Sequence, residues 1–215
     1  MTSARETVEL LLQTARFREA EPGEHGLRGS EWMALRFLSR ANEFSRSPSA
    51  LASFSGTTRA TASQVVKTLE TKGYLTRGRS TKDRRSVVLH VTPKGEKALL
   101  HDPFEQLVKA VAALDASTRG IVRNALRDLL TTLTGSRGYQ HIDVCRDCVF
   151  LTRVNADLEA TAEGSEFACR FFRATINPRD IDQLCVSFQR AAMKFEKPAR
   201  SDAVISGTTQ PDGFE

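Results

Sequence analysis

Residues 50–77 read ALASFSGTTRATASQVVKTLETKGYLTR, and the punctuation inside them decides the fold. Just upstream, Ser47-Pro48 is a cap followed by proline at the first helical position, where a missing N–H costs nothing. It starts a short helix over about 48–54. Gly56 breaks that helix, and Thr57 or Thr58 offers a hydroxyl to cap the next one. The second helix runs over about 58–72, with Ala62, Val65, Val66 and Leu69 on one face at helical spacing. Gly73 is placed to end it. The opposite face then holds Thr57, Ala60, Gln64 and Lys67, flanked by Arg59, Thr61, Ser63 and Thr68. A merely solvated helix face would read the same way, so the residues downstream have to decide.

Downstream the period changes from helical to alternating. Residues 74–79 and 86–91 suit two strands, with Val87, Leu89 and Val91 alternating against Val88 and His90. The polar turn Ser80-Thr81-Lys82-Asp83-Arg84-Arg85 joins them. Residues 72–97 carry eight basic and two acidic side chains, a surplus larger than the +5 of the whole chain. Charge concentrated on one projection suits a polyanion, because each phosphate contact releases counterions. Arginine at a hairpin tip can also enter a narrow minor groove. Asp83 is expected to pair with Arg84 or Arg85 and stiffen the tip. A short helix, a glycine turn, a longer helix and a hairpin make a winged helix-turn-helix. The longer helix fits a major groove, where Arg59 and Gln64 are expected at base edges and Thr57, Thr61 and Lys67 at phosphates or bases.

Working outward, an amphipathic helix is expected over 4–20, and a second helix capped by Ser30 carries Trp32, Leu35, Leu38 and Ala41. Thr92-Pro93 restarts helix after the hairpin. Two helices follow, over about 93–113 and 116–134, separated near Leu114-Asp115. The stripes Val8-Leu11-Leu12-Ala15 and Ile121, Val122, Leu126, Leu129, Leu130, Leu133 are candidate dimer surfaces as well as core. Two copies can span half-sites about one helical turn apart, which one small module cannot.

The 215 residues, 40% hydrophobic and 27% charged, allow one core plus an appendage and exclude a mostly disordered chain. No apolar run approaches the roughly 18 residues of a membrane span. The N-terminus mixes acids with apolar residues and lacks a small-residue cleavage site, so no signal peptide is read and the expected location is the cytoplasm. No phosphate-cradling glycine loop, dinucleotide fingerprint or Ser/His/Asp set points to an enzyme. A redox enzyme or electron carrier is the competing class, with its thiols doing the work and the basic hairpin incidental.

The stretch 30–97 resembles MarR-type transcriptional regulators. The residues that carry this are ALASFSGTTRATASQVVKTLETKGYLTR and the following STKDRRSVVLHVTPKG, whose Asp-Arg-Arg wing, strand and Thr-Pro-x-Gly are quite specific. As an arrangement of elements the resemblance covers roughly 5–135. It implies a homodimer joined by its first and last helices, double-stranded DNA with a symmetric operator as partner, and contacts from the recognition helix and from Arg84 and Arg85. Many relatives sense small aromatic molecules or oxidants; no residue here marks such a pocket. The expected fold class is mainly α with a small β-hairpin wing, plus a helical dimerisation region. The domains are 1–138, with a DNA-binding core at 30–97, a cysteine-rich unit at 139–196, and a tail at 197–215 whose composition suggests disorder.

That unit holds every cysteine of the chain: Cys145, Cys148, Cys169 and Cys185. In a cytosolic setting a structural disulfide framework is disfavoured. Two thiols two residues apart converge on one ion from a tight turn, and four suit either tetrahedral zinc or an iron-sulfur cluster. Structural zinc modules usually show two short knuckles, whereas only one is present here. Val149, Phe150, Leu151, Phe167, Phe171, Phe172, Leu184 and Val186 make the surroundings apolar. An iron-sulfur cluster is therefore the first reading and zinc the alternative, with unligated thiols and a thiol-disulfide switch also open. Cluster loss or oxidation would repack the unit on helix 116–134 and change operator affinity. His141 is expected at the surface, and Asn177-Pro178 is expected to start a helix that delivers Cys185.

Overall fold

The computed structural model describes residues 2–16, 25–79, 87–134, 140–153 and 166–190. Helix α1 spans Ser3–Arg16 and α2 spans Gly29–Arg40. A 3-10 turn at Glu43–Ser45 leads into α3, Pro48–Ser55, and α4, Arg59–Thr71. Strands β1 (Leu75–Arg79) and β2 (Val87–Val91) pair antiparallel as the wing, with Leu75 opposite Val91 and Arg79 opposite Val87. Helices α5 (Pro93–Leu99), α6 (Glu105–Ala112) and α7 (Ala116–Leu133) follow.

Local chemistry sets these boundaries. Ser47 Oγ accepts from the Ala50 N–H at 3.2 Å, and Pro48 sits at the first turn. Gly56 closes α3 at φ 62°, a left-handed conformation that a side chain would strain. Thr58 caps α4 and Thr92 caps α5, each accepting from the N–H three residues on. Helix α2 is entered differently from the expectation. Its cap position is Arg28, not Ser30, and the Glu31 carboxylate reaches back to the Arg28 N–H at 2.9 Å.

The expected single helix over 93–113 is two. Pro103 has no N–H to donate and disfavours helical backbone at the preceding residue, so α5 stops short of it. Asp102 there accepts from the Phe104 N–H at 2.9 Å, opening the turn into α6, and also faces the Arg36 Nε at 3.3 Å.

The core is built on α2. Trp32, Leu35, Phe37 and Leu38 pack against Leu51, Val66, Leu69, Leu75 and Leu89. Phe37 stacks on Phe54 with centroids 4.3 Å apart. Burying each leucine contributes about 1.5–3 kcal/mol relative to exposure. Gly95 is where α5 meets the wing: a Cβ there would lie 2.6 Å from the Tyr74 carbonyl and 2.7 Å from Val91 Cγ1. Helices α1, α6 and α7 bury no residue, leaving Val8, Leu12, Ile121 and Leu129 on exposed faces.

The cysteine region adds β-structure beyond the wing. Strand β3 (Asp143–Val144) pairs with β7 (Leu184–Cys185), and β4 (Leu151–Arg153), β5 (Phe167–Cys169) and β6 (Ala174–Ile176) form a three-stranded antiparallel sheet. Asn177-Pro178 starts only a 3-10 turn, Pro178–Asp180, so Cys185 arrives on a strand and not on the expected helix. The tail at 197–215 lies outside the described residues.

Candidate nucleic-acid interface and cysteine site

Helix α4 has two faces. Ala62, Val66 and Leu69 are buried and Val65 is half-buried, which locks the roll of the helix. Thr57, Arg59, Thr61, Gln64 and Lys67 are all exposed. The Arg59 guanidinium donates to Ser49 Oγ through Nε at 2.8 Å and Nη2 at 2.6 Å. It is thereby held across the start of α3. Ser49 was not legible as a partner, since nothing in sequence fixes how two helices cross.

The positive charge around the wing is distributed differently from its tally. Lys72 Nζ donates to the buried Glu31 carboxylate at 2.7 Å and to the Gly26 carbonyl at 2.8 Å. Arg77 Nε bridges both oxygens of Glu70 at 2.8 and 2.9 Å. Lys94 Nζ donates to the Lys72 carbonyl and sits 4.6 Å from the Tyr74 ring centroid. Three of the eight basic groups therefore brace the module, which corrects the reading of the whole surplus as a DNA surface. Arg79 and Lys97 are exposed, while Lys82, Asp83, Arg84 and Arg85 lie outside the described residues.

The four cysteines come from three separate stretches to one small pocket, which Asn42, Phe44, Phe171 and Phe172 also line. Cys145 and Cys148 flank a 3-10 turn, with the Cys148 N–H donating to the Cys145 carbonyl at 3.0 Å. Cys145 and Cys185 are buried, and Cys148 and Cys169 half-buried. The hydrogen bond between the Cys145 and Cys185 sulfurs, and next to it burial, pushes the Cys145 thiol up. The same hydrogen bond brings Cys185 down to about 6, against burial and with help from Asn42, the Ser187 backbone and Ser45. One of the pair is thus disposed to be a thiolate, the form that binds metal. Among the described residues no three thiol, imidazole or carboxylate groups already stand at the spacing that holds an ion. The donor type does fit a soft metal or cluster. Asn42 Oδ1, a buried carbonyl oxygen of a residue that lines the pocket, has no hydrogen-bond partner among the described residues.

Charged groups fasten this unit to α7. Arg127 Nε meets Asp143 at 2.6 Å and its Nη2 meets Asp147 at 2.8 Å, while Arg190 pairs with Asp128. His141, expected at the surface, is buried. It packs edge-on against Phe188 with centroids 5.0 Å apart, and its Nδ1 lies 3.1 Å from Thr131 Oγ1. Burial lowers its pKa, with Asp143 opposing. A separate cavity of about 410 Å³ lies between α2 and α6, lined by Arg36, Phe37, Asp102, Phe104 and Val108. Burial raises the Asp102 pKa there, against its hydrogen bond from Phe104 and the charge of Arg36.

Residues 25–86 match the family model described as MarR family. Over that stretch, which spans α2 to α4 and most of the hairpin, the chain is similar to the MarR family. The S. aureus MepR–DNA complex is similar in fold, with 16% identity, a TM-score of 0.50, and coverage of 61% of this chain and 96% of that one. A MarR transcriptional regulator from Methanosarcina mazei Go1 gives 21% identity and a TM-score of 0.47 over 60% of this chain and 94% of its own. BldR from Sulfolobus Solfataricus gives 25% and 0.46 over 61% and 99%. No curated protein matches the chain. The MarR-family match ends before the first cysteine, so it speaks for the recognition module alone. No helix among the described residues is long and apolar enough to cross a membrane.

Proposed function

We propose that this chain is a homodimeric transcriptional regulator that grips duplex DNA with α4 and the wing, and whose four cysteines hold a metal centre that modulates the grip. One observation carries the DNA reading: Arg59, Thr61, Gln64 and Lys67 are exposed together on a helix whose other face is locked in the core, with Thr57 exposed in the turn before it. Arg59 and Gln64 have the reach and the donors for base edges, and Lys67 for phosphate. The related MepR was crystallised with DNA, which agrees with this reading. The exposed stripes of α1 and α7 suit a second copy, and no catalytic role is assigned to any residue. Anisotropy titration with duplexes at rising salt tests it. Binding should weaken steeply with salt, Lys67→Ala should flatten the log–log slope by about 1, and Gln64→Ala should cost about 1–3 kcal/mol at one base position. A purified protein indifferent to duplexes at low ionic strength would overturn it.

For the metal, an iron-sulfur cluster is the leading reading. One close pair and two single cysteines from three stretches suit it, within a pocket lined by aromatic rings, a setting that tunes a redox centre. Zinc is the second, since four thiolates equally suit its tetrahedral coordination. An absorbance spectrum of protein purified without oxygen separates the two: brown for iron-sulfur, colourless for zinc. The signal is proposed to travel through Arg127 and Asp128 to α7 and hence to the spacing of the two recognition helices. Occupancy would shift the population of grip-competent dimers.

A further inference from the structure

The chain between α2 and α3, residues 41–46, stands between the cysteine pocket and the DNA-binding module. On one side the Asn42 N–H donates to the Leu184 carbonyl at 2.9 Å, beside the Ala41–Leu184 bridge. Asn42 Nδ2 donates to Cys145 Sγ at 3.4 Å. Ser45, fully buried, accepts from the Val186 N–H at 3.1 Å. Phe44 stacks on Phe172, with ring centroids 4.1 Å apart and planes 8° from parallel. On the other side the Arg46 carbonyl accepts from the Leu89 N–H of the wing at 2.7 Å, and Ser47 caps α3. One short segment therefore touches Cys145, the flanks of Cys185, the wing and the first helix of the recognition pair.

Asn42 is the odd member. It is 4% exposed, lines the pocket, spends its amide N–H on a sulfur, and leaves its carbonyl oxygen without a partner among the described residues. A buried amide oxygen without a hydrogen bond costs stability, and an apolar side chain of similar size would avoid that cost. A site built around sulfur explains the choice. N–H donation to a metal-bound thiolate offsets its charge and orients it, and such outer contacts typically carry about 10–100-fold in metal affinity.

We infer that Asn42 is a positioning residue of the cysteine site, and that residues 41–46 carry metal occupancy directly into the recognition module of the same chain. This rests on the metal reading above. It adds a route that bypasses α7 and the dimer: a change in the Cys145–Asn42 contact moves the segment whose far end bonds the wing and caps α3.

The test uses the full chain purified without oxygen, with iron and sulfide or zinc restored, and a duplex selected from a random pool by the loaded wild type. Asn42→Ala and the isosteric Asn42→Asp are compared with wild type for metal retention against EDTA, for duplex affinity loaded and stripped, and for the melting of the stripped protein. Asn42→Ala should lose metal about tenfold more readily, and Asn42→Asp, which sets a carboxylate against thiolates, more readily still. Both should bring the loaded-to-stripped affinity ratio toward one, while Arg127→Ala should leave the residual coupling through 41–46 measurable. If the variants lower only the stripped melting temperature, with retention and ratio unchanged, Asn42 is structural and the inference is wrong. If wild type holds neither iron-sulfur nor zinc, the metal reading fails first and takes this inference with it.

Discussion

Among the described residues, seventeen buried apolar side chains make one cluster running from Leu27 to Ala98, whereas the cysteine unit has a cluster of only Cys145, Cys185 and Phe188. The first region is closed by burial of leucine and aromatic surface. In the second, two of the three buried groups are thiols, and a buried histidine and the buried Asp143, paired with the half-buried Arg127, sit where leucines would in an ordinary core. A unit this small cannot bury enough apolar area to hold itself. It leans on α7 and on residues 41–46, and a bound metal would supply the rest, since binding free energy that exists only in the folded state is folding free energy. One chain thus places a helical module with its own apolar core beside a unit that has little apolar core of its own.

Core truncation gives the largest contrast. Leu69→Ala, at a fully buried position, should cost about 2–5 kcal/mol and move the denaturant midpoint of the whole recognition module. Phe188→Ala should instead abolish hydrogen-exchange protection at β3 and β7 while leaving that midpoint nearly in place. If Phe188→Ala lowered the global midpoint as far as Leu69→Ala does, the two regions would be one cooperative unit and the contrast would collapse.

A sharper probe lies on the helical module alone. In Gly95→Ala the added methyl would press on the Tyr74 carbonyl at 2.6 Å, and backbone yields less readily than a side chain tip. Overpacking of this kind costs about 1–3 kcal/mol. Thermal melting should record that loss in the module, with metal retention in the cysteine unit unchanged.

What could be read ahead of the structure follows the same divide. Ser47-Pro48, Gly56, Thr92-Pro93 and the buried face of α4 were legible because caps, glycine turns and helical periodicity act within a few residues. The polar face of α4 was legible for the same reason. Pro103 carried its signal openly, yet an apolar period running through 93–113 masked it. Lys72 and Lys94 looked like DNA-facing charge because their engagement with Glu31 and Tyr74 needs the tertiary fold. Strands of two or three residues in the cysteine unit are too short to show alternation. That four thiols belong together could be inferred from their count and clustering. That Asn42 and Ser45, more than a hundred residues upstream of Cys145 and Cys185 respectively, complete their pocket could not.

Acid should separate the regions by titration. Burial holds the His141 pKa below its ordinary 6.5, with Asp143 opposing. The unfolded ring therefore takes up a proton at higher pH than the folded one. The contribution of the neutral ring is fully present above about 6.5 and is lost as pH falls toward the depressed folded value. Exchange protection at β3 should fall over that window in wild type but not in His141→Phe, while α2 and α4 stay protected. Loss of protection in α2 over the same window would mean that the helical module depends on the cysteine unit for its stability.

The smallest effect concerns the wing and asks what its charges are for. Arg77 is paired with Glu70 at an exposed site, where such a bridge is worth about 0.2–1 kcal/mol. Arg77→Ala should therefore barely shift the melting temperature. Arg79, two residues on and exposed, has no such brace to Glu70. If the wing meets phosphates, Arg79→Ala should flatten the salt dependence of duplex binding by about one phosphate contact, a slope change near 0.9. Arg77→Ala should change it less, because the Glu70 carboxylate already neutralises part of that charge. Equal slopes for wild type and Arg79→Ala would take the lower wing out of the interface and leave the grip to α4 and the hairpin tip.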